Sequence, residues 1–224
     1  DLVTVSTESL RKTYRGWGIQ NIVVLPNQEK EGEWRGVVRA PLLSRMVIGW
    51  AGGISHAFTD IEPIVKPVTR VLKENPQAHL HLIGVVELKG KFFTDKDIQD
   101  RVFCEPWQGW ENYKEMIAEF DISLAPSYAK KRFAMGKSDI RCLQSWINGI
   151  PVLASDLTYG ESVRRSQGGI VCQTEREWYD ALTLLVTNPD LRRAYGKRGK
   201  QYMEFRTYEG NTEQWLQTYR SPLN

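Results

Sequence analysis

Short apolar runs alternate with helical stretches along most of this 224-residue chain, and this order restricts the fold more than any other feature. The intervening stretches are roughly 10 to 15 residues long, which is typical of βαβ units. Unbroken apolar runs are expected where a strand is buried on both faces, as in a parallel sheet. We therefore predict an α/β fold, a Rossmann-like parallel sheet with helices on both faces. The predicted strands are residues 2–6, 22–25, 46–50, 80–84, 101–104, 121–125, 151–154 and 169–172.

The alternation is broken between residues 28 and 45, where the sequence is polar and irregular. We predict a linker over 28–45, which separates residues 1–27 from a larger domain over 46–207. The remaining residues, 208–224, are predicted to form a last amphipathic helix and a tail. Two further expectations within the larger domain are one helix over 60–74 and a charged loop over most of 85–99.

Composition and charge exclude several classes of protein. The net charge of +3 is too small to favour a nucleic-acid partner. Three cysteines, Cys104, Cys142 and Cys172, lie far apart without a CxxC pair, which argues against a disulfide framework or a zinc site and fits a reducing cytosol. No apolar run approaches the roughly 20 residues of a membrane helix. We therefore expect a cytoplasmic protein without a transmembrane segment.

A glycine-rich turn, GWAGGISHAFTD, follows the strand predicted at 46–50. Gly52 and Gly53 have no Cβ, so backbone N–H groups there could approach a phosphate closely, and the following helix adds its positive end. A tight strand-to-helix turn explains the glycines equally well. His56 could bond a phosphate or a sugar hydroxyl, or be structural. Asp60 could cap the helix or hold His56 in position.

The segment KSDIRCLQSWINGIPVLAS, residues 137–155, is predicted to be a helix that runs into a buried strand. Gly149 ends the helix, because a glycine followed by a proline is a common stop signal. Lys137, Arg141 and Gln144 stand at i, i+4 and i+7, which places them on one helix face. Like charges one turn apart repel each other. The two cations therefore point into water, or an anion lies against them.

Other polar and aromatic residues give weaker indications. His79 and His81 alternate along a strand, but no acid or cysteine completes a metal site. Trp107 and Gln108 follow the carboxyl end of a strand, where one of them could border a flat base. Neither a Ser-His-Asp order nor a GxSxG motif is present.

Several segments, in order, resemble the C-terminal, nucleotide-binding half of a GT-B fold glycosyltransferase of the glycosyltransferase family 4 type. The most specific one is residues 137–155, which resembles the family's K-S-x-x-K-x-x-E-x-x-x-x-G-x-P-V-V-A-S segment. The others are VLPNQ, IGWAGGISHAFTD, FDISLAP and the stretch from GGIVC to GKRGKQY, at residues 24–28, 48–60, 120–126 and 168–202.

The resemblance implies a retaining, metal-independent transferase that uses a nucleotide-diphosphate sugar as its donor and needs no cofactor. In such enzymes the segment's cations face the donor's diphosphate, so Lys137 and Arg141 would contact phosphate, together with His56 at the phosphate or sugar. The other donor-binding residues that it implies, or that the turn and strand ends add, are Gly52, Gly53, Trp107, Ser138 and Gln144. Two positions depart from the family: its two acids fall on Gly136 and Gln144, and a glutamine bonds hydroxyls without charge.

The resemblance also assigns the parts of the chain. Residues 1–27 would be a remnant of the N-terminal acceptor domain, 28–45 the linker, 46–207 the nucleotide-sugar-binding domain and 208–224 a crossing helix with its tail. The rest of the acceptor domain would be missing from this chain. The implied acceptor is a glycan or a lipid-linked saccharide, as in polysaccharide biosynthesis, and a lipid-linked acceptor would make the protein membrane-peripheral. The alternatives are a sugar-nucleotide epimerase of similar fold and a non-catalytic interaction module on a degenerate glycosyltransferase scaffold.

Overall fold

The computed structural model describes residues 2–37, 45–128 and 131–220. The strands are β1 (Val3–Val5), β2 (Ile22–Val24), β3 (Met46–Ala51), β4 (Ala78–Ile83), β5 (Val102–Glu105), β6 (Ile122–Ala125), β7 (Val152–Ser155) and β8 (Gly169–Cys172). The helices are α1 (Glu8–Gly16), α2 (Glu31–Trp34), α3 (Ile54–Ile61), α4 (Val65–Glu74), α5 (Glu87–Phe92), α6 (Trp110–Ala118), α7 (Lys131–Gly136), α8 (Ile140–Trp146), α9 (Asp156–Ser166), α10 (Glu175–Thr187), α11 (Pro189–Tyr202) and α12 (Tyr208–Arg220). Short 3-10 helices lie at Glu62–Ile64, Gln99–Arg101 and Met203–Phe205.

Six strands form one parallel sheet in the order β5-β4-β3-β6-β7-β8. The predicted α/β, Rossmann-like fold is therefore confirmed. Strands β3, β4 and β5 follow one another towards one edge of the sheet. The chain then returns to the other side of β3 and adds β6, so the strand order reverses between β3 and β6. In open α/β sheets, ligands bind outside the carboxyl ends of the strands at such a point.

Alternate residues of β3 pack into two apolar clusters, one on each face of the sheet. Ile48 and Trp50 belong to the cluster covered by α4 and α10, whereas Val47 and Ala51 belong to the cluster covered by α6, α8 and α9. Both tryptophan side chains at the centres of these clusters, Trp50 and Trp146, are fully buried. Burial on both faces explains why β3 has no polar alternation.

Three stretches differ from the sequence-based expectation. Residues 28–45, predicted as an irregular linker, contain α2, which is held because Trp34 is buried against the second cluster; residues 38–44 of that stretch lie outside the described residues. The region predicted as a single helix over 60–74 consists of the end of α3, a 3-10 turn and α4. The helix is interrupted because a proline in the turn cannot donate a helical hydrogen bond. The loop predicted over 85–99 contains α5, which buries Leu88.

The β1–α1–β2 unit (Val3–Val24) forms its own two-stranded parallel sheet, and the chain leaves it beside the start of α12. Glu29 forms a parallel bridge with Thr207, and the amide N–H of Tyr208 donates to the carbonyl of Glu29 at 3.1 Å. The Arg206 guanidinium donates to both carboxylate oxygens of Asp139, at 2.7 and 2.8 Å, and to the carbonyl of Asn27 at 2.9 Å. This junction (residues 27–29 and 206–208) ties two distant stretches of chain together.

The remaining global features concern the cysteines, the length of the helices and the last helix. All three cysteines are free, and Cys142 and Cys172 are buried. Within residues 2–37, 45–128 and 131–220, no helix combines the length and the apolar character needed to span a bilayer. Leu216 and Tyr219 on α12 are exposed.

Candidate functional site

The glycine turn lies at the carboxyl end of β3, where the strand order reverses. The amide N–H of Gly52 donates to the carbonyl of Ile83 at 3.0 Å, which fixes the turn against β4. A Cβ on Gly52 would lie 2.6 Å from the Trp50 ring and 2.8 Å from Nη2 of Arg141, so only glycine fits there. Gly53 is the N-cap of α3 and makes no side-chain capping bond, which leaves first-turn amides of α3 available to a ligand.

The two cations are held by a buried aspartate. Oδ2 of Asp60 lies 3.3 Å from Nζ of Lys137 and 3.9 Å from Nη1 of Arg141, and the Asp60 side chain is fully buried. Its Oδ1 accepts from the amide of Tyr128 at 3.3 Å. Asp60 is the seventh residue of α3, so it does not cap that helix, and its contacts are with the cations. The side chain of His56 lies outside the described residues.

Lys137 and Arg141 do not share the face of one continuous helix, so that prediction was wrong. Helix α7 ends at Gly136 and α8 begins at Ile140, with Asp139 as its N-cap. The helix breaks there because the Asp139 carboxylate is engaged by Arg206 and by the hydroxyl of Ser162. The cations nevertheless meet at Asp60, and their side chains stay 15% and 17% exposed. One carboxylate against two cations leaves this group with a net positive charge that solvent can reach.

Arg141 links the cation group to the glycine turn. Its Nη1 donates to the carbonyl of Pro126 at 3.3 Å, and its guanidinium lies over the Trp50 ring at 5.3 Å from the centroid. Pro126 follows β6, the strand beside β3. The guanidinium therefore lies close to the point where the strand order reverses, next to Gly52.

A cavity of about 290 Å³ opens beside the glycine turn. It brings together four residues that the sequence analysis singled out: Gly52, Gly53, Trp107 and Gln144. Its other lining residues are Ile83, Gly84, Trp110 and Tyr113. Gly84 has φ +103° and packs against the carbonyl of Gly52, so neither the backbone angle nor the space allows a larger residue.

One wall of this cavity is aromatic. The Trp107 and Tyr113 rings lie 4.9 Å apart, and Tyr113 stacks on Trp110 at 5.6 Å. Trp107 lines the cavity and is 56% exposed, so part of this residue is accessible to a ligand. The sequence analysis did not single out Trp110 and Tyr113, although their i, i+3 spacing after Gly109 places both rings on one helix face.

The Gln144 side chain is already engaged within the protein. Its Oε1 accepts from the Tyr113 hydroxyl at 2.8 Å, and burial raises the pKa of that hydroxyl to about 12. Ser138 lies elsewhere: its Oγ accepts from Nδ2 of Asn27 at 2.9 Å, next to the β1–α1–β2 unit. Gly136, where one family acid is missing, faces Leu10 of α1.

A second cavity, of about 430 Å³, lies between the β1–α1–β2 unit and α9. Lys137 lines this second cavity and does not line the 290 Å³ cavity. Across the described parts of the chain, no three His, Cys, Asp or Glu side chains are grouped closely enough to hold a metal ion. His81 instead lies 3.1 Å from a carboxylate oxygen of Glu105.

Comparison with solved structures shows the same fold in larger proteins. A mutant of S. aureus TarM, solved with fondaparinux, α-GlcNAc-glycerol and UDP, is 19% identical, with a TM-score of 0.76 over 97% of this chain and 43% of TarM. Anabaena HepE in complex with UDP-glucose is 12% identical, with a TM-score of 0.79 over 98% of this chain and 64% of HepE. Sucrose-phosphate synthase from Thermosynechococcus elongatus is 16% identical, with a TM-score of 0.74 over 100% of this chain and 58% of the synthase.

This chain therefore spans about half of the length of these proteins, and at such identities the likeness concerns the fold. No curated protein matches the sequence. The sequence model of the family described as glycosyl transferases group 1 matches residues 45–188, which is more than half of the chain. The chain belongs to the glycosyl transferases group 1 family.

Proposed function

We propose that this chain is the donor-binding part of a glycosyltransferase that takes its sugar from a nucleotide-diphosphate donor. The observation that carries the proposal is the meeting of three features at one edge of the sheet. They are the open amides after Gly53, the cations Lys137 and Arg141, and an aromatic cavity. The UDP in the TarM structure and the UDP-glucose in the HepE structure support a donor of this class.

In the proposed complex the diphosphate lies against the two cations and the first-turn amides of α3 that follow Gly53. The amide of Gly52 already donates to Ile83, so Gly52 contributes only by letting Arg141 approach the turn. The nucleoside then extends into the 290 Å³ cavity, with its ribose near Gln144 and its base against Trp107. Negative charge builds on the diphosphate as the glycosidic bond breaks, and fixed cations stabilise that charge without a metal. We assign this role to Lys137 and Arg141, and keep the sequence-based assignment of His56 to the sugar or phosphate.

The finer assignments are part of the same proposal. The reaction retains the configuration of the transferred hexose and is metal-independent. The acceptor is a glycan or a lipid-linked saccharide, which approaches from the side of the second cavity, and a lipid-linked acceptor would hold the protein at a membrane surface. Residues 1–27 would belong to the acceptor domain, 28–45 to the linker, 46–207 to the donor domain and 208–224 to the crossing helix and tail.

Isothermal titration calorimetry with UDP-, GDP-, dTDP- and ADP-sugars tests the donor class. We expect one nucleotide series to bind, and Lys137→Ala and Arg141→Ala each to weaken it by about 1.5–3 kcal/mol, as for a lost charge-assisted hydrogen bond. Lys66→Ala is the matched control, because Lys66 is 83% exposed and far from the cavity. Binding should persist in EDTA.

The outcome separates the rival functions. If none of the four series binds, the chain is a non-catalytic module. If the bound sugar nucleotide is converted to an epimer without an acceptor, the chain is an epimerase. If binding is lost in EDTA and restored by Mg²⁺ or Mn²⁺, the metal-free arrangement is wrong.

A further inference from the structure

Strand β8 lies at an edge of the large sheet, because β7 is the one described strand that pairs with it. The amide N–H of Val152 on β7 donates to the carbonyl of Gly168 at 3.1 Å, and the register sets Val152 beside Gly169 and Ala154 beside Val171. In a parallel pair with this register, residues of β8 that bond β7 alternate with residues that face away. The backbone N–H and C=O groups of Gly169 and Val171 therefore point outwards from the sheet.

A cavity of about 440 Å³ lies beside this outer edge. Its walls come from the end of α9, from β8 itself and from residues 195–198 of α11, and we call it the β8 groove. Three of the four β8 residues are partly exposed, unlike those of β3, which is buried along its whole length. Ile170 packs against the first apolar cluster of the sheet and Val171 against the second. Each cluster thus has a partly exposed side chain at this edge, which an added strand could cover.

A fixed cation lines the β8 groove. Nε of Arg198 donates to the carbonyl of Gln167 at 3.0 Å, and the guanidinium lies over the Tyr195 ring, 4.6 Å from the centroid. Arg164, the other arginine of the groove, is paired with Asp156, whereas no carboxylate in the described part of the chain pairs with Arg198. An arginine that is held in place in this way can bind both oxygens of a carboxylate from another molecule.

We propose that the β8 groove docks an extended, acidic segment of a partner protein, which adds to the sheet as a further strand beside β8. Its backbone pairs with the outward groups of Gly169 and Val171, and its alternate apolar side chains cover Ile170 and Val171. One of its carboxylates binds Arg198. This docking is independent of donor binding, because β7 separates β8 from β6 and β3, where the glycine turn and the two cations lie.

Charge favours such a partner over a second copy of this chain. Two copies joined at β8 by a two-fold axis would present identical surfaces to each other. Because β8 is only four residues long, the Arg198 side chains of the two copies would then approach each other and repel. An acidic strand places an opposite charge at the same position.

Fluorescence anisotropy with three labelled peptides tests the class of partner. Each peptide has about eight residues, the length of an ordinary strand, and alternates valine with glutamate, threonine or lysine. We expect the glutamate peptide to bind at least about 10-fold more tightly than the lysine peptide, with the threonine peptide between them, because charge-assisted bonds to arginine are strong. The salt concentration is kept at about 0.15 M, where long-range attraction is screened.

A charge reversal tests the role of the cation. Arg198→Glu should weaken binding of the glutamate peptide by about 10-fold and improve binding of the lysine peptide. Lys197→Glu is the matched control, because Lys197 is an exposed residue of the same helix that does not line the groove. The control makes the same change of net charge and should alter binding by less than about 3-fold.

A proline tests the pairing of the backbones. Val171→Pro removes an outward N–H and no bond to β7, and proline is tolerated at the edge of a sheet when its nitrogen faces away from the neighbouring strand. The variant should no longer bind the glutamate peptide. Thermal unfolding of each variant establishes that it is folded.

Hydrogen exchange on the wild type distinguishes an added strand from a loose ion pair, and it does not depend on any variant. The outward amides of Gly169 and Val171 should be protected about 10-fold or more when the glutamate peptide is saturating. The amides of Ile170 and Cys172 point towards β7 in the same register and should change little.

The outcomes are distinct. If the glutamate peptide does not bind, or if all three peptides bind equally, the proposal is overturned, and the arginines only protect the edge against unwanted strand pairing. Binding that leaves the amides of Gly169 and Val171 unprotected overturns the added strand. A dimer in sedimentation equilibrium that Val171→Pro abolishes would make a second copy the occupant and overturn the acidic partner. The nucleotide titrations of the proposed function stand or fall separately.

Discussion

At the scale of the residue, Asp60 explains how two cations can stand close together without repelling each other into solvent. The sequence indicates Lys137 and Arg141, because like charges at helical spacing are unusual. It does not indicate their counter-ion, since Asp60 lies 77 residues before Lys137 and only the sheet brings them together. The same holds for Glu29, whose backbone pairs with Thr207 far along the chain.

Replacement of Asp60 by Asn should destabilise the fold. It leaves two cations without their carboxylate, and removal of one member of a buried ion pair costs about 3 kcal/mol. Urea denaturation would measure the loss. Asp95→Asn, which removes the partner of Lys73 at the surface, should cost less than about 1 kcal/mol. Equal effects of the two substitutions would mean that Asp60 is not a buried counter-ion.

The pKa of Glu29, raised by burial above its ordinary value of 4.5, predicts a pH dependence. Between the two values the folded state binds more protons than the unfolded state, so the free energy of unfolding falls as the pH rises. This contribution is present below 4.5 and is lost as the pH passes through the folded pKa.

Glu29→Gln should remove that slope. The difference in unfolding free energy, wild type minus variant, is therefore expected to decrease from about pH 4 to about pH 8. Urea titrations at several pH values would measure it, with Glu31→Gln, at an exposed carboxylate, as the control. A difference that increases with pH would show that Glu29 is stabilised as the anion.

At the scale of the element, the strands were predicted well and the connections poorly. A strand buried on both faces is an unbroken apolar run, which the sequence displays directly, as β3 and β6 do. Helices α2 and α5 are short and owe their place to Trp34 and Leu88, whose burial depends on distant partners. The break between α7 and α8 depends likewise on Arg206, far along the chain.

Gly49 in the middle of β3 is a packing requirement of the sheet. A Cβ on this residue would overlap the ring of Phe120, which is fully buried and cannot move aside. Gly49→Ala should therefore lower the stability by about 1–3 kcal/mol through overpacking. Gly90→Ala on α5 has open space and should raise it by about 0.5–1 kcal/mol, as for alanine in a helix. Thermal unfolding of both variants would measure the two changes in stability. Two changes of the same sign would contradict the packing argument.

At the scale of the whole molecule, the Arg206–Asp139 pair joins the last part of the chain to the large sheet. Both side chains are about a tenth exposed, so Arg206→Met should leave a buried carboxylate without its cation and cost about 3–5 kcal/mol. Adding Asp139→Asn should recover part of that loss, because the unpaired charge is removed. Arg193→Met, at an exposed pair, should cost less than about 1 kcal/mol. Chemical denaturation of the four proteins tests the pair, and no recovery in the double variant would refute it.

The junction of residues 27–29 with 206–208 has a mechanical consequence. Two stretches of chain that are bonded to each other and to one carboxylate cannot move independently. They therefore restrain this part of the molecule as one unit. Leu25 still belongs to the β1–α1–β2 unit through its bond to Val5, which leaves Pro26 as the joint. The proline ring fixes φ of Pro26, so the backbone at this joint can turn only about ψ.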